Sequence, residues 1–191
     1  MSDLASDLRV LVMGIGNPLM GDEGVGPRVV ELLRSTYSFP DSVEVVDAGT
    51  MGFTILNLLQ GVDLVIVVDA VDGSGHEPGT VLALAPEDMA PNQIMHSLHD
   101  ARLVDVLDAA RLMGLEPEVT CIGVQIERIV HWELELTPVV EAAIPFAASA
   151  VVDILAARGV QLAPHEGPRD ERASVLEALR TKSAMPGSEQ S

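Results

Sequence analysis

The stretch Gly14–Gly26 constrains this chain more than any other part of its sequence. It reads Gly-Ile-Gly-Asn-Pro-Leu-Met-Gly-Asp-Glu-Gly-Val-Gly and joins the apolar run Val10–Met13 to a helix-like segment beginning near Val25. Its five glycines let the backbone bend tightly and approach a neighbour closely. The turn also holds two adjacent acids, Asp22 and Glu23, which would repel a phosphate. We therefore interpret it as a turn that presents a carboxylate to a cation.

Strand-like apolar runs alternate with helix-like patterns along the chain. The run Leu64–Val68 is continuously apolar, as expected for a parallel strand that is covered on both faces. This alternation predicts an α/β fold, with three α/β/α layers around a mainly parallel, twisted sheet of about five strands. The predicted strands are Leu8–Gly14, Val43–Ala48, Leu64–Asp69, Val81–Leu84 and Val119–Ile126, and the predicted helices are Gly24–Thr36, Met51–Gln60, Ala101–Leu112 and Thr137–Arg158.

The sequence changes character near residue 160. We predict one α/β domain over residues 1–160 and a linker with a disordered or weakly helical tail over residues 161–191. Within the second part, Ala163–Asp170 is rich in proline and charge, Ala173–Arg180 has the composition of one short helix, and Met185–Ser191 is predicted to be disordered.

Charge limits the partners of this chain. The formal net charge is −18, and residues 1–160 carry 24 acids against 7 bases. Nucleic acids and anionic membranes both require a basic face, so neither is expected as a partner. A basic peptide or a metal cation suits the charge better.

The amino-terminal residues and the lone cysteine bear on compartment. The first residues form neither a basic region nor an apolar signal core, and uninterrupted apolar runs stay well short of a membrane span. We expect a cytoplasmic monomer. Cys121 lies in an apolar strand pattern and cannot form an intramolecular disulfide, so we interpret it as a buried, inert thiol.

Three predicted strands each deliver an acid at or just beyond the carboxyl end. The acids are Glu23, Asp47 and Asp69. Taken singly, each has a structural explanation, as a helix-start acid or as a turn cap. The carboxyl ends of parallel strands meet at one edge of a sheet, where ligands of open α/β sheets bind. Their coincidence therefore indicates a site at this edge.

Histidine would complete such a site. His96 and His99 directly precede the predicted helix Ala101–Leu112, and either could supply an imidazole. Two carboxylates and one imidazole suit a borderline divalent metal such as nickel or zinc, and three ligands leave an open position for catalysis. The remaining histidines are expected on the surface (His76 and His131) or in the tail (His165).

Rival functions fit the sequence less well. Gly14-x-Gly16 after a first strand suggests a dinucleotide-binding oxidoreductase, but Leu19 stands where its fingerprint needs a third glycine. Asp47 also lies further along than the usual spacing of about 20 residues. The zinc-protease pattern His-Glu-x-x-His, the nucleophile elbow and the phosphate-binding P-loop are all missing from the sequence. A metallochaperone that binds but does not cut could use the same acids.

The motifs together resemble one family, the maturation endopeptidases of nickel–iron hydrogenases. The resemblance covers about Arg9 to Gly159. It rests on the Gly14 motif extended to Arg28, on Asp47-Ala-Gly-Thr50, Val68-Asp69-Ala70, His99 to Leu107, and Leu136 to Pro145.

The resemblance implies a three-layer fold and a particular reaction. Members of the family remove a short C-terminal extension from the large-subunit precursor of the hydrogenase after nickel insertion. By position, the metal-contacting residues fall on Glu23, Asp69 and His99, and His99 is preferred to His96 because it stands at the helix start. Nickel would belong to the precursor rather than reside in the enzyme. Asp47 and its turn are then expected to shape the cleft.

Overall fold

A mixed sheet forms the centre of the computed structural model, which describes residues 8–86, 103–167 and 172–183. Its helices and two small 3₁₀ turns cover both faces of this sheet. The strands are β1 (Val10–Ile15), β2 (Tyr37–Ser38), β3 (Val43–Gly49), β4 (Leu64–Val71), β5 (Val81–Leu84), β6 (Glu118–Gln125) and β7 (Ala163–Pro164), and the helices are α1 (Val25–Thr36), α2 (Leu103–Leu112), α3 (Pro138–Ala157) and α4 (Ala173–Ser183), with 3₁₀ turns at Asp22–Gly24 and Gly52–Asn57.

The main sheet has the strand order β3-β1-β4-β6-β5. The first four strands in this order are parallel, and β5 runs antiparallel to β6. The predicted α/β fold with a mainly parallel five-stranded sheet is therefore confirmed. The chain leaves β1 for β3 on one side and then returns to β4 on the other. The crevice beyond the carboxyl ends of β1 and β4 is the topological switch point, where such folds bind ligands.

Alternate residues of the parallel strands point into two apolar layers. On β1, Val10 and Val12 pack with α1, α3 and α4, whereas Leu11 and Met13 pack with α2 and the Gly52–Asn57 turn. Both faces of β1 and β4 are buried, which accounts for their continuous apolar sequences.

Helix α3 is the longest and most apolar helix in the described part of the chain. It has 20 residues, and an 18-residue stretch of it has a mean hydropathy of 1.9, so by length and composition it could cross a membrane. Half of that stretch is buried in the protein, however, and its inner face packs on α1 and β6. We interpret it as a core helix whose hydropathy reflects burial.

Glycines fix how closely α1 approaches the sheet. A Cβ on Gly26 would overlap the carbonyl oxygen of Ile15 and would lie 2.6 Å from that of Val68. A Cβ on Gly14 would likewise overlap the carbonyl of Gly26. The start of α1 therefore lies directly against the ends of β1 and β4. This contact seats the preceding acidic turn over the switch point.

Two predicted elements differ from the structure. The helix predicted at Met51–Gln60 is a 3₁₀ turn at Gly52–Asn57, bounded by Gly52 and Gly61, both at positive φ. Strand β4 continues to Val71, so Asp69 lies inside the strand rather than at its end. The strand gains these residues because β6 pairs with it as far as Gln125.

Residues beyond 160 return to the body of the protein. Ala163 and Pro164 pair with β2, and α4 packs Leu176 into the core beside α3. The short helix predicted at Ala173–Arg180 is thus present and extends to Ser183. The segment Met185–Ser191 lies outside the described residues, and the boundary at residue 160 stays a prediction.

We predict that Gly26→Ala destabilises the fold by about 3 kcal/mol, because the new methyl meets backbone carbonyls that cannot move aside. Urea unfolding followed by circular dichroism measures this loss. The control is Gly114→Ala, where φ is +76° but a Cβ would meet open space. That variant should lose only about 1 kcal/mol. Equal losses in both variants would contradict the close packing of α1.

Candidate active site

Glu23 lies in the 3₁₀ turn that follows β1 and precedes α1. The turn is tight because Gly21 adopts φ +62° and because a Cβ on Gly16 would overlap the carbonyl of Glu23. Only 8% of Glu23 is exposed. The glycine-rich sequence therefore serves to seat this buried carboxylate above the ends of β1 and β4.

Asp69 lies on β4, one residue beyond Val68, which pairs with Gly14 of β1. Its carboxyl accepts a hydrogen bond of 2.7 Å from the Ala70 N–H. Burial raises the pKa of Asp69 from 3.8 to about 7; the Ala70 hydrogen bond lowers it, and the negative charge of Glu23 raises it. The charge of Glu23 thus acts on an acid from a separate part of the sequence at the switch point. That these acids attract a cation stays a prediction.

Asp22 has a different task from its neighbour Glu23. It is 1% exposed and accepts backbone hydrogen bonds from Glu127 (3.1 Å), Arg128 (3.2 Å) and Thr137 (2.6 Å). The Thr137 hydroxyl donates a further bond of 3.0 Å to the same carboxylate. Asp22 therefore ties both ends of the loop after β6 to the acidic turn. This role escaped the sequence analysis, because backbone donors leave no sequence signal.

Asp47 is exposed and accepts a 3.0 Å hydrogen bond from the Gly49 N–H. This bond shapes the turn after β3, next to Gly16, whose N–H donates to the Gly49 carbonyl. The expectation that Asp47 shapes the cleft stays a prediction.

Three of the five histidines lie in the described part of the chain. His96 and His99 lie outside the described residues, so the predicted imidazole stays a prediction. His76 and His131 are exposed, and the backbone N–H of His165 donates to Thr36 beside β7. Within residues 8–86, 103–167 and 172–183, no three histidine, cysteine or acidic side chains are grouped closely enough to hold a metal ion.

Two further polar residues organise this edge of the sheet. Gln125, buried at the end of β6, accepts hydrogen bonds from the backbone and the hydroxyl of Ser74, which holds the loop after β4 in place.

Cys121 is buried in the middle of β6, as its apolar pattern predicts.

The fold and these acids define a class of protein, namely three-layer α/β proteins with an acidic site at the switch point of the sheet. Comparison with known proteins is more specific. The family model HycI, described as hydrogenase maturation protease, matches residues 27–154. The chain belongs to the hydrogenase maturation protease family, and it is therefore a peptidase.

Individual relatives agree with this assignment. The Hydrogenase 2 maturation protease of Escherichia coli K12 is 38% identical over 167 residues, which are 85% of this chain and 100% of that protein. The hydrogenase expression/formation protein HoxM of Azotobacter vinelandii is 38% identical over 94% of this chain and 88% of its own. The solved structure of the E. coli hydrogenase maturating endopeptidase HybD superposes with a TM-score of 0.75 at 37% identity, covering 83% and 98% of the two chains.

We predict that Asp22→Asn destabilises the protein by about 2–4 kcal/mol, because an amide replaces one acceptor oxygen with a donor that faces backbone N–H groups. Asp47→Asn is the matched control, since its carboxylate is exposed and serves one turn, and it should lose less than about 1 kcal/mol. Urea unfolding of both variants measures the difference. A loss in Asp22→Asn no larger than in Asp47→Asn would contradict the anchoring role.

A second prediction concerns Asp69 and pH. The folded-state pKa of this acid lies above its ordinary value. Once the pH is high enough to ionise Asp69 in the unfolded chain, ionising it in the folded chain costs free energy and lowers the free energy of unfolding. The penalty is absent below about pH 4 and complete above about pH 7. Asp69→Asn should therefore become more stable than the wild type as pH rises through this window, by about 4 kcal/mol at pH 8. Denaturant unfolding of both proteins measures this. If the free energies of unfolding of Asp69→Asn and the wild type differ by the same amount at pH 4 and pH 8, the prediction is refuted.

Proposed function

We propose that this protein is the endopeptidase that removes the C-terminal extension of a nickel-loaded nickel–iron hydrogenase large-subunit precursor. Nickel enters the site as part of the substrate, and Glu23, Asp69 and His99 are its contacts. The observation that carries the proposal is the packing of the acidic turn against β4, which places the buried Glu23 at the switch point next to the strand that holds Asp69. Membership of the maturation protease family supports the reaction type.

A buried acid, Glu23, and a partly buried acid, Asp69, on neighbouring elements favour a bound cation. Burial and mutual repulsion raise the energy of the doubly ionised state, and a divalent metal relieves both penalties at once. The site would therefore hold the precursor best once its nickel is in place. A precursor without nickel would bring no charge to offset the two carboxylates.

The same residues can serve the chemistry. In peptide hydrolysis, water adds to the carbonyl carbon, the C–N bond breaks, and a proton passes from the water to the leaving amine. Two routes fit the site. Either the substrate nickel polarises the scissile carbonyl, or a carboxylate takes the proton from the attacking water. Asp69, with a pKa of about 7, is suited to both take up and release a proton near neutral pH.

The setting proposed for this reaction is the cytoplasm, with the protein acting as a monomer. The acidic surface of the chain disfavours nucleic acids and anionic membranes as partners. It is compatible with a protein substrate that carries a metal cation.

We predict that Glu23→Gln abolishes processing of the nickel-loaded precursor while leaving the fold intact, because the amide keeps the size of the side chain but lacks its charge. Asp69→Asn and His99→Ala should slow processing by at least about 100-fold, in line with the loss of an acid–base or metal-contacting group. Mass spectrometry of the precursor, with circular dichroism of each variant, provides the measurement.

His96→Ala is the matched control and should process the precursor at close to the wild-type rate. A folded, fully active Glu23→Gln variant would refute the role of Glu23. Loss of activity in His96→Ala but not in His99→Ala would show that the imidazole comes from His96.

A further inference from the structure

The loop after β6 exposes apolar side chains beside the candidate active site. Trp132 is 86% exposed, and Leu134, Val130 and Leu19 are also exposed. We call these four residues the Trp132 surface. A group of large exposed apolar side chains often marks an interaction site, whereas apolar side chains exposed singly are normal on protein surfaces. Trp132 also has φ +64°, the only positive φ among the described residues other than glycine.

Backbone hydrogen bonds join this surface to the acidic turn. The Trp132 N–H donates to the Leu19 carbonyl at 2.8 Å, and the Gly21 N–H donates to the Glu133 carbonyl at 2.8 Å. Asp22 binds the loop at both of its ends through Glu127, Arg128 and Thr137. The Trp132 surface is therefore held in a fixed position relative to the neighbouring Glu23.

The charges around the surface indicate the chemistry of its occupant. The loop 127–135 contains Glu127, Glu133 and Glu135 against a single arginine, Arg128. Arg128 pairs with Glu133 at 3.3 Å, so its charge is offset within the loop. Glu127 and Glu135 are exposed. An apolar surface edged by acids complements a segment with apolar side chains and lysine or arginine.

We propose that the Trp132 surface docks a segment of the precursor adjoining the cleaved bond, and that this segment is apolar and basic. The inference rests on the proposed function, because the surface is continuous with the candidate active site. Trp132 would be its main anchor, since aromatic side chains carry much of the energy of such contacts. Docking here places the chain of the substrate across Glu23 while the nickel enters the site.

The chain provides a direct probe of docking, because Trp132 is its single tryptophan. Enzyme labelled with 5-fluorotryptophan gives one fluorine resonance, and unlabelled precursor contributes none. Adding nickel-loaded precursor should shift or broaden that resonance. A resonance that stays unchanged while the enzyme cleaves the precursor would overturn the docking inference and leave the proposed function intact. Absence of cleavage by the wild-type enzyme would instead refute the proposed function.

Kinetics separate docking from a purely structural role. Trp132→Asn removes the indole, and asparagine tolerates positive φ, so the loop conformation is retained. We expect it to raise KM by about tenfold with little change in kcat. Leu134→Ser is a second variant with the same expected direction. The matched control is Leu112→Ala, which removes a side chain that is 91% exposed at the opposite edge of the sheet, and it should leave KM unchanged.

The charge of the occupant is tested separately. Glu135→Lys should raise KM, whereas Glu116→Lys, the same charge change just before β6 at the far edge, should not. If Trp132→Asn and Leu134→Ser both keep the wild-type KM, or lower only kcat, the inference is wrong. It is equally wrong if sedimentation shows a wild-type dimer that Trp132→Asn dissociates, since the occupant would then be a second copy.

Discussion

The contact between two glycine backbones governs the candidate active site. Because Gly14 and Gly26 lack side chains, the start of α1 lies against the ends of β1 and β4. A single methyl group at either position would push the helix away from the sheet. The acidic turn that precedes α1 moves with the helix, so the distance between the carboxylates of Glu23 and Asp69 depends on this packing. Backbone contact therefore sets the electrostatics of the site.

The two neighbouring acids of the turn have different roles: Asp22 anchors a loop, whereas Glu23 is proposed to contact the substrate. Asp22 has its hydrogen-bonding capacity filled by backbone and hydroxyl donors, which makes its burial favourable. Asp69 instead has a pKa that is raised, first by burial and further by the negative charge of Glu23. A site that retains such a cost without a structural need is a good candidate for binding a cation. The loop anchored by Asp22 therefore lies beside the two acids Glu23 and Asp69 at the switch point.

Much of this arrangement could be predicted from the sequence. The continuous apolar run Leu64–Val68 and the alternation of elements were sufficient for the sheet, and the glycine-rich turn located Glu23. The anchoring role of Asp22 could not be predicted, because its partners are backbone groups 105 to 115 residues away. The prediction of a helix at Met51–Gln60 was wrong. The apolar spacing of this segment suits a helix, but glycines at positive φ limit it to a short 3₁₀ turn. The Trp132 surface has no sequence signature either, since exposure follows from the tertiary structure.

The central claim is that the protein cleaves the precursor only when the precursor carries nickel. The most direct test incubates the wild-type protein with the hydrogenase large-subunit precursor, with and without prior nickel loading, and follows the mass of the precursor. The account predicts loss of a short C-terminal peptide from the nickel-loaded form alone. Equal cleavage of both forms would contradict nickel recognition. Nickel-dependent binding with no change in mass would contradict the proposed cleavage of this precursor.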